Sequence, residues 1–186
     1  MEADQESEAA SANIERLVTQ MPASLAEREA KFSSQLIRAK LNPAKKLERL
    51  YSFMNELYSH ILKYTPCRKG CNACCHYKVS VSDIEIAHIE AHIKRRRNKK
   101  FLPKSEFHGT PCPFLHQGSC SIYEARPLVC RRHVTLTSTS YWCDPKVSFD
   151  ESFPMIQISS VDEAFEHIRK TSNSVETYDI RQVFGD

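Results

Sequence analysis

Glycine is scarce in this chain, with four in 186 residues. So few argue against a glycine-rich phosphate cradle and against a turn-rich β-sandwich. No apolar run approaches the ~18 residues of a membrane-spanning helix, so no membrane partner is expected. The opening Met1-Glu2-Ala3-Asp4-Gln5-Glu6-Ser7-Glu8 is acidic and polar. It has neither the basic start nor the apolar stretch of a secretory signal, and the chain reads as cytoplasmic. Neither sign of charge is in large excess. Lys and Arg number 26 against 23 Asp and Glu, a net of +3, too little to demand an anionic partner. No nucleophile elbow and no Ser/His/Asp order is visible. With 41% hydrophobic and 26% charged residues, the composition is that of a globular chain and not a disordered one.

What the chain does have is eight cysteines: Cys67, Cys71, Cys74, Cys75, Cys112, Cys120, Cys130 and Cys143. None lies in the first 66 residues or the last 43. This distribution predicts an N-terminal helical region over 1–65, a cysteine-cluster domain over 66–145 and a C-terminal extension over 146–186 that packs on the helices. The fold class is mainly α, with helices packed around an irregular, loop-rich cysteine core.

Helical spacing carries the first region. Ile14, Leu17, Val18 and Met21 recur before Pro22 breaks the pattern, and Leu25, Phe32, Leu36 and Ile37 follow from Ser24. Asn42-Pro43 reads as an N-cap with proline in the first turn. Leu47, Leu50, Tyr51, Met54, Leu57, Tyr58, Ile61 and Leu62 then step by three and four, with Thr65-Pro66 as the stop. Tyr51 and Tyr58 read as packing residues rather than a cofactor-facing pair.

Cys67-Arg68-Lys69-Gly70-Cys71-Asn72-Ala73-Cys74-Cys75 places four thiols within nine residues. Disulfides fit poorly with a reduced compartment, and adjacent cysteines bridge each other only with strain. Inert buried thiols suit a core face, not a loop beside Arg, Lys, Gly and Asn; that reading is kept for Cys143 alone. Metal ligation is preferred, because close cysteine spacing in a reduced compartment is a ligand pattern. Gly70 and Asn72 are the residues expected to take a left-handed turn. Cys74 and Cys75 are expected to point apart, toward two centres or toward one centre and a supporting role. Pro111-Cys112-Pro113 presents Cys112 rigidly, and Gly118-Ser119-Cys120 reads as a turn into a short helix that restarts at Pro127 and carries Cys130. Between the two groups, Tyr77, Val79 and Val81 alternate as a strand. Ser82-Asp83-Ile84-Glu85 opens a helix as a capping box.

The run Cys67 to Cys75, Cys112-Pro113-Phe114-Leu115, and Cys120-Ser121-Ile122-Tyr123-Glu124-Ala125-Arg126-Pro127-Leu128-Val129-Cys130-Arg131 resembles the YkgJ-type cysteine cluster family. Its members are described as zinc- or iron-chelating, and a related cluster occurs in flagellin lysine N-methylases. The resemblance covers about 67–133. It implies a metal site and assigns no substrate.

All eight cysteines are taken as metal-ligand candidates, with Cys143 as the eighth thiol. Arg68, Lys69, Arg126, Arg131 and Arg132 are candidate charge compensation. The spacing matches neither ferredoxin run nor the paired knuckles of a zinc ribbon. An iron or iron–sulfur centre is slightly favoured, and zinc is the alternative. The role is redox or structural, with an iron-dependent enzyme or a metal-stabilised binding module as alternatives; whether the chain is an enzyme stays open. His76 and His133 stand close enough to cysteines to be ligands. His88 and His92 share a helix face, but the run His88-Ile89-Glu90-Ala91-His92 displaces the acid of a zinc-protease motif. Lys94-Arg95-Arg96-Arg97-Asn98-Lys99-Lys100 is read as a solvated helix end, with a protein or, less favoured, nucleic-acid partner as the other reading. In the tail, Phe149, Phe153, Met155, Ile156 and Ile158 are apolar. Ser160 to Glu163 reads as a capping box, and Val175, Tyr178, Val183 and Phe184 as a last helix.

Overall fold

The computed structural model describes residues 3–103, 105–147 and 152–185. In chain order its elements are α1 Ala3–Thr19, α2 Ala23–Arg38, α3 Pro43–Ile61, β1 Ser80–Ser82, α4 Asp83–His92, β2 Leu115–His116, β3 Ser119–Cys120, α5 Leu128–Arg132, α6 Ser159–Thr171, β4 Thr177–Asp179 and α7 Ile180–Phe184. The fold is mainly α, as the periodicity predicts. Among the described residues no helix is long and apolar enough to cross a membrane. The chain divides into two compact units. The first comprises Met1–Pro66, Val134–Thr139 and Phe153–Asn173; the second comprises Cys67–His133, Ser140–Ser152 and Ser174–Asp186.

The first unit is built on apolar helix stripes. Leu47, Leu50, Met54 and Leu57 of α3 are fully enclosed, and Tyr51 packs beside them. Enclosing each such side chain contributes about 1.5–3 kcal/mol. Phe53, outside the sequence stripe, is also buried and stacks on Phe32 of α2 at 4.0 Å between ring centres. The Asn42 side chain accepts from the Lys45 N–H at 2.9 Å, and Pro43 is the first helical residue. The stripe ends before Leu62, which is exposed where α3 tightens into a 3-10 turn. Helix α6 packs along α2 and α3, with Val161, Ala164 and Ile168 inward. Its expected capping box does not form. The helix starts at Ser159, the Ser160 hydroxyl donates to Glu29 at 2.6 Å, and Glu163 accepts from Ser33 at 2.6 Å. Tertiary partners on α2 take the groups that a local cap would use. Residues 134–139 join this unit through Leu136, whose carbonyl accepts from Asn13 at 2.7 Å, and Ser138, whose N–H donates to buried Glu6 at 2.7 Å.

The second unit has a smaller apolar core of Val79, Val81, Ile86, Ile89, Phe114, Ile122, Ala125, Ile180, Val183 and Phe184. The expected strand shortens to β1, which pairs antiparallel with β4, Val81 opposite Tyr178. The Ser82–Glu85 box forms: the Glu85 carboxylate accepts from the Ser82 N–H at 3.0 Å and from its hydroxyl at 2.8 Å. Its other oxygen accepts from the Leu128 N–H at 2.9 Å, so one buried carboxylate starts α4 and anchors α5. The basic run is not a helix end, since α4 stops at His92. Arg97 instead grips Glu90 and Asp83, Arg95 donates to the Phe184 carbonyl, and Asn98 donates from its backbone to Val183 and from its side chain to Gly185. Lys94, Arg96, Lys99 and Lys100 remain exposed. The tail's last helix is α7, entered from β4, with Val183 and Phe184 in the core and Val175 exposed. Phe153, Met155, Ile156 and Ile158 form no helix or strand; Phe149 lies outside the described residues.

Candidate metal centre

Local turns place the first group of cysteines. Cys71 closes a turn, its N–H donating to the Arg68 carbonyl at 3.0 Å. Gly70 takes the left-handed conformation there at φ +94°, and its missing side chain is the reason it can. Asn72 does not share this role; its φ is −126°. Residues Ala73–His76 then form one 3-10 turn that carries Cys74 and Cys75. In this turn the Cys75 side chain acts on its neighbour and pushes the Cys74 thiol up.

The second cysteine segment is tied to the first by backbone. The Cys112 N–H donates to the Cys75 carbonyl at 2.8 Å, and the Gly109 N–H to the His76 carbonyl at 2.8 Å. Strands β2 and β3 form a small hairpin with Cys120 opposite Leu115. Its two linking residues, Gln117 and Gly118, have φ of 47° and 74°, the tight mirror-image turn that suits the twist of hairpin strands. Cys120 therefore sits on a strand, not at the start of a helix; the helical turn comes at Tyr123–Ala125. Pro127 opens α5, which carries Cys130.

Four thiols from these elements act on one another electrostatically. Burial pushes the Cys130 thiol well up, and charge on Cys74, Cys112 and Cys120 pushes it further. Burial raises Cys112 to about 11, opposed by the backbone bond at Phe114 and by Arg181. Cys120 is raised by burial, with Cys74 adding and Arg126 opposing. The neighbouring Cys75 side chain, then burial, raises Cys74, and Arg126 opposes this too. The Arg126 guanidinium lies 3.7 Å over the Tyr123 ring and donates to the Tyr123 carbonyl. It is the cation that acts on three of the four sulfurs. The eight cysteines are not joined in disulfides. Among the described residues, no three His, Cys, Asp or Glu side chains stand close enough together to hold an ion. In chemistry the set fits a thiophilic metal: soft sulfur donors whose charges repel one another, with a cation beside them, suit zinc and iron–sulfur centres alike.

Residues 66–148 match the CxxCxxCC family model, "Putative zinc- or iron-chelating domain". The match spans 83 of the 186 residues, a little under half, and includes all eight cysteines. No curated protein and no solved structure matches the chain. The match agrees with the resemblance read from the cysteine pattern, and it supports metal binding by this segment.

Within the matched segment the histidines divide. His133 is half-buried, and desolvation holds its imidazole below the usual histidine range. Its ring lies 5.4 Å from Tyr77, which also meets His108 at 5.5 Å. The Tyr77 hydroxyl donates to the Cys143 carbonyl at 3.0 Å, tying the Tyr141–Cys143 turn to the residues after Cys75. His76 lines a cleft of about 940 Å³ together with Asn72, His108, Tyr141, Asp144 and Lys146. His88 and His92 do share a face, their rings 4.1 Å apart on α4.

Sequence reasoning missed two residues of the cysteine region outright: Asp179 and Arg181. Both are buried. They lie beyond the family match and more than 30 residues from any cysteine, so no local spacing could have linked them to it.

Proposed function

We propose that this protein holds a thiolate metal centre built on Cys74, Cys112, Cys120 and Cys130, with Cys67, Cys71, Cys75 and Cys143 as the remaining donors. The observation that carries this reading is the match of residues 66–148 to a zinc- or iron-chelating family model, a stretch that holds all eight cysteines; these four are chosen because their charges act on one another. Iron or an iron–sulfur cluster is the favoured occupant, because eight sulfurs exceed the four of one closed zinc site. Zinc is the alternative. An iron–sulfur cluster would supply one-electron transfer, and zinc would supply closure of the fold. The chain's part is to present sulfurs, offset their charge through Arg126, and give up thiol protons when the metal enters. Elemental and sulfide analysis with a visible spectrum, on protein purified without oxygen, tests this. Iron with equal sulfide supports the cluster, colourless protein with zinc supports the structural role, and no metal at any stoichiometry overturns the reading.

The cleft lined by His76, His108, Tyr141 and Lys146 favours a second reading, an iron-dependent enzyme acting on a protein or small-molecule substrate. Its wall shares the loop that carries Cys71, Cys74 and Cys75, so a molecule held there would lie beside the centre. Iron without sulfide, together with protection of the Tyr141–Lys146 segment by an added substrate, would select it.

A further inference from the structure

The guanidinium of Arg181 is bonded to both cysteine segments at once. Its Nη2 donates to the carbonyls of Cys75 at 3.0 Å, Tyr77 at 3.1 Å and Thr110 at 2.5 Å. Its Nε donates to Thr110 at 3.0 Å and Pro111 at 3.3 Å. Its Nη1 meets both oxygens of Asp179, at 3.0 and 3.2 Å. Asp179 is itself fixed: it accepts from the Val79 N–H at 3.0 Å and from the Arg181 N–H at 2.9 Å. Gln182 completes the turn, accepting from the Asp179 N–H at 2.9 Å and donating to the Leu102 carbonyl at 3.1 Å.

Both members of this ion pair are almost fully enclosed, with side-chain exposures of 4% and 3%. Burying two charges is expensive, and a well-packed apolar pair would often stabilise a fold as well. What an apolar pair cannot do is hold four carbonyls from two loops by hydrogen bonds. Only a rigid guanidinium fork does this; an ammonium is a point charge on a flexible stem. Two of those carbonyls, Thr110 and Pro111, belong to the residues that lead directly into Cys112. A third belongs to Cys75 and also accepts from the Cys112 N–H.

We propose that Arg181, oriented by Asp179, is a positioning residue of the metal centre: it clamps the Cys74–Cys75 turn to the strand of chain that presents Cys112 and so fixes the separation of their sulfurs. This rests on the thiolate centre proposed above. The C-terminal segment thus completes a site whose sulfurs all lie within the family-matched stretch.

The test uses the full chain, reduced and metal-free, titrated with Co²⁺ against a competing chelator while the sulfur-to-cobalt and d–d bands are recorded. Arg181→Lys keeps the charge and loses the fork. It is expected to weaken Co²⁺ binding about 10–100-fold, the usual cost of removing a group that orients metal ligands, and to move the d–d bands. Asp179→Asn, a milder change that keeps Arg181, should move both in the same direction by less, and it carries the test if Arg181→Lys does not fold. Val183→Ala removes core packing from the same short helix and should leave affinity and bands unchanged. Wild-type affinity and bands in both Arg181→Lys and Asp179→Asn would overturn the clamp while leaving the centre intact. Equal losses in Val183→Ala with no band shift would reduce the segment to a structural role and also overturn it. Wild-type protein that takes up no Co²⁺ would overturn the centre and the clamp together.

Discussion

The two units are held by different means. In the first, long helices bury continuous apolar stripes, and Leu47, Leu50, Met54 and Leu57 are enclosed because their spacing puts them on one face. In the second, helices and strands are short, and the segments carrying cysteines are fixed by single polar groups. Glu85 joins α4 to α5, Arg181 joins two loops, and Tyr77 reaches Cys143. The first kind of unit spreads its stability over many small contacts. The second concentrates position in a few side chains, which suits a site that must present sulfurs from distant points of the chain.

The sharpest break of this comparison is metal removal. Structural zinc contributes about 10–16 kcal/mol of binding free energy in small zinc-dependent folds. Chelation is therefore expected to abolish amide-exchange protection around Cys112–Arg132 while the amides of α2 and α3 keep theirs. Equal loss in both units, or none in either, would sink the distinction. The converse experiment is Leu50→Ala in α3, which should cost about 2–5 kcal/mol in urea denaturation without changing metal bound per folded molecule. A fall in stoichiometry in that variant would mean that the centre depends on the helical unit after all.

The same contrast decided what could be read from sequence. Helix periodicity, the Asn42 cap and the Ser82–Glu85 box are local, and each appears where spacing puts it. The cysteine pattern, also local, pointed to the metal family. The turn at Gly118 and the short helices after it are legible, but the hairpin strands are not, because two residues on either side of a turn carry no period. The Ser160–Glu163 box failed because Glu29 and Ser33, more than a hundred residues away, took its groups. Arg181 was invisible for the same reason, since nothing in an Arg near a C-terminal helix says which carbonyls it will meet.

A smaller effect separates polar anchoring from apolar packing by pH. Arg97 donates two side-chain bonds and its backbone N–H to Glu90 and holds that carboxyl below the usual range. A lowered folded pKa gives stability that is present above the unfolded value near ~4.3 and is lost as pH falls through the folded value. Arg97 is partly exposed, so solvent screening limits the pair to about 1 kcal/mol at neutral pH. Glu90→Gln should therefore be less stable than wild type at pH 7, with the gap closing below about pH 4. A gap that persists undiminished at pH 3 would show that the side chain packs and does not titrate.

The smallest expected effect concerns the basic run. Sequence offers six positive charges in seven residues, a pattern that suits a phosphate-binding stripe. Two of the six are already engaged within the second unit, Arg95 on the Phe184 carbonyl and Arg97 on Glu90 and Asp83. That leaves Lys94, Arg96, Lys99 and Lys100 exposed on irregular backbone, with no stacking ring interleaved. Neutralising all four should shift stability by less than about 0.5 kcal/mol, as surface substitutions do, and should leave metal content unchanged. Arg97→Gln, by contrast, should destabilise the second unit, because its charge is structural. Binding of duplex DNA that falls steeply with salt, and is lost in the fourfold variant alone, would reverse this assignment and make the exposed four a phosphate surface.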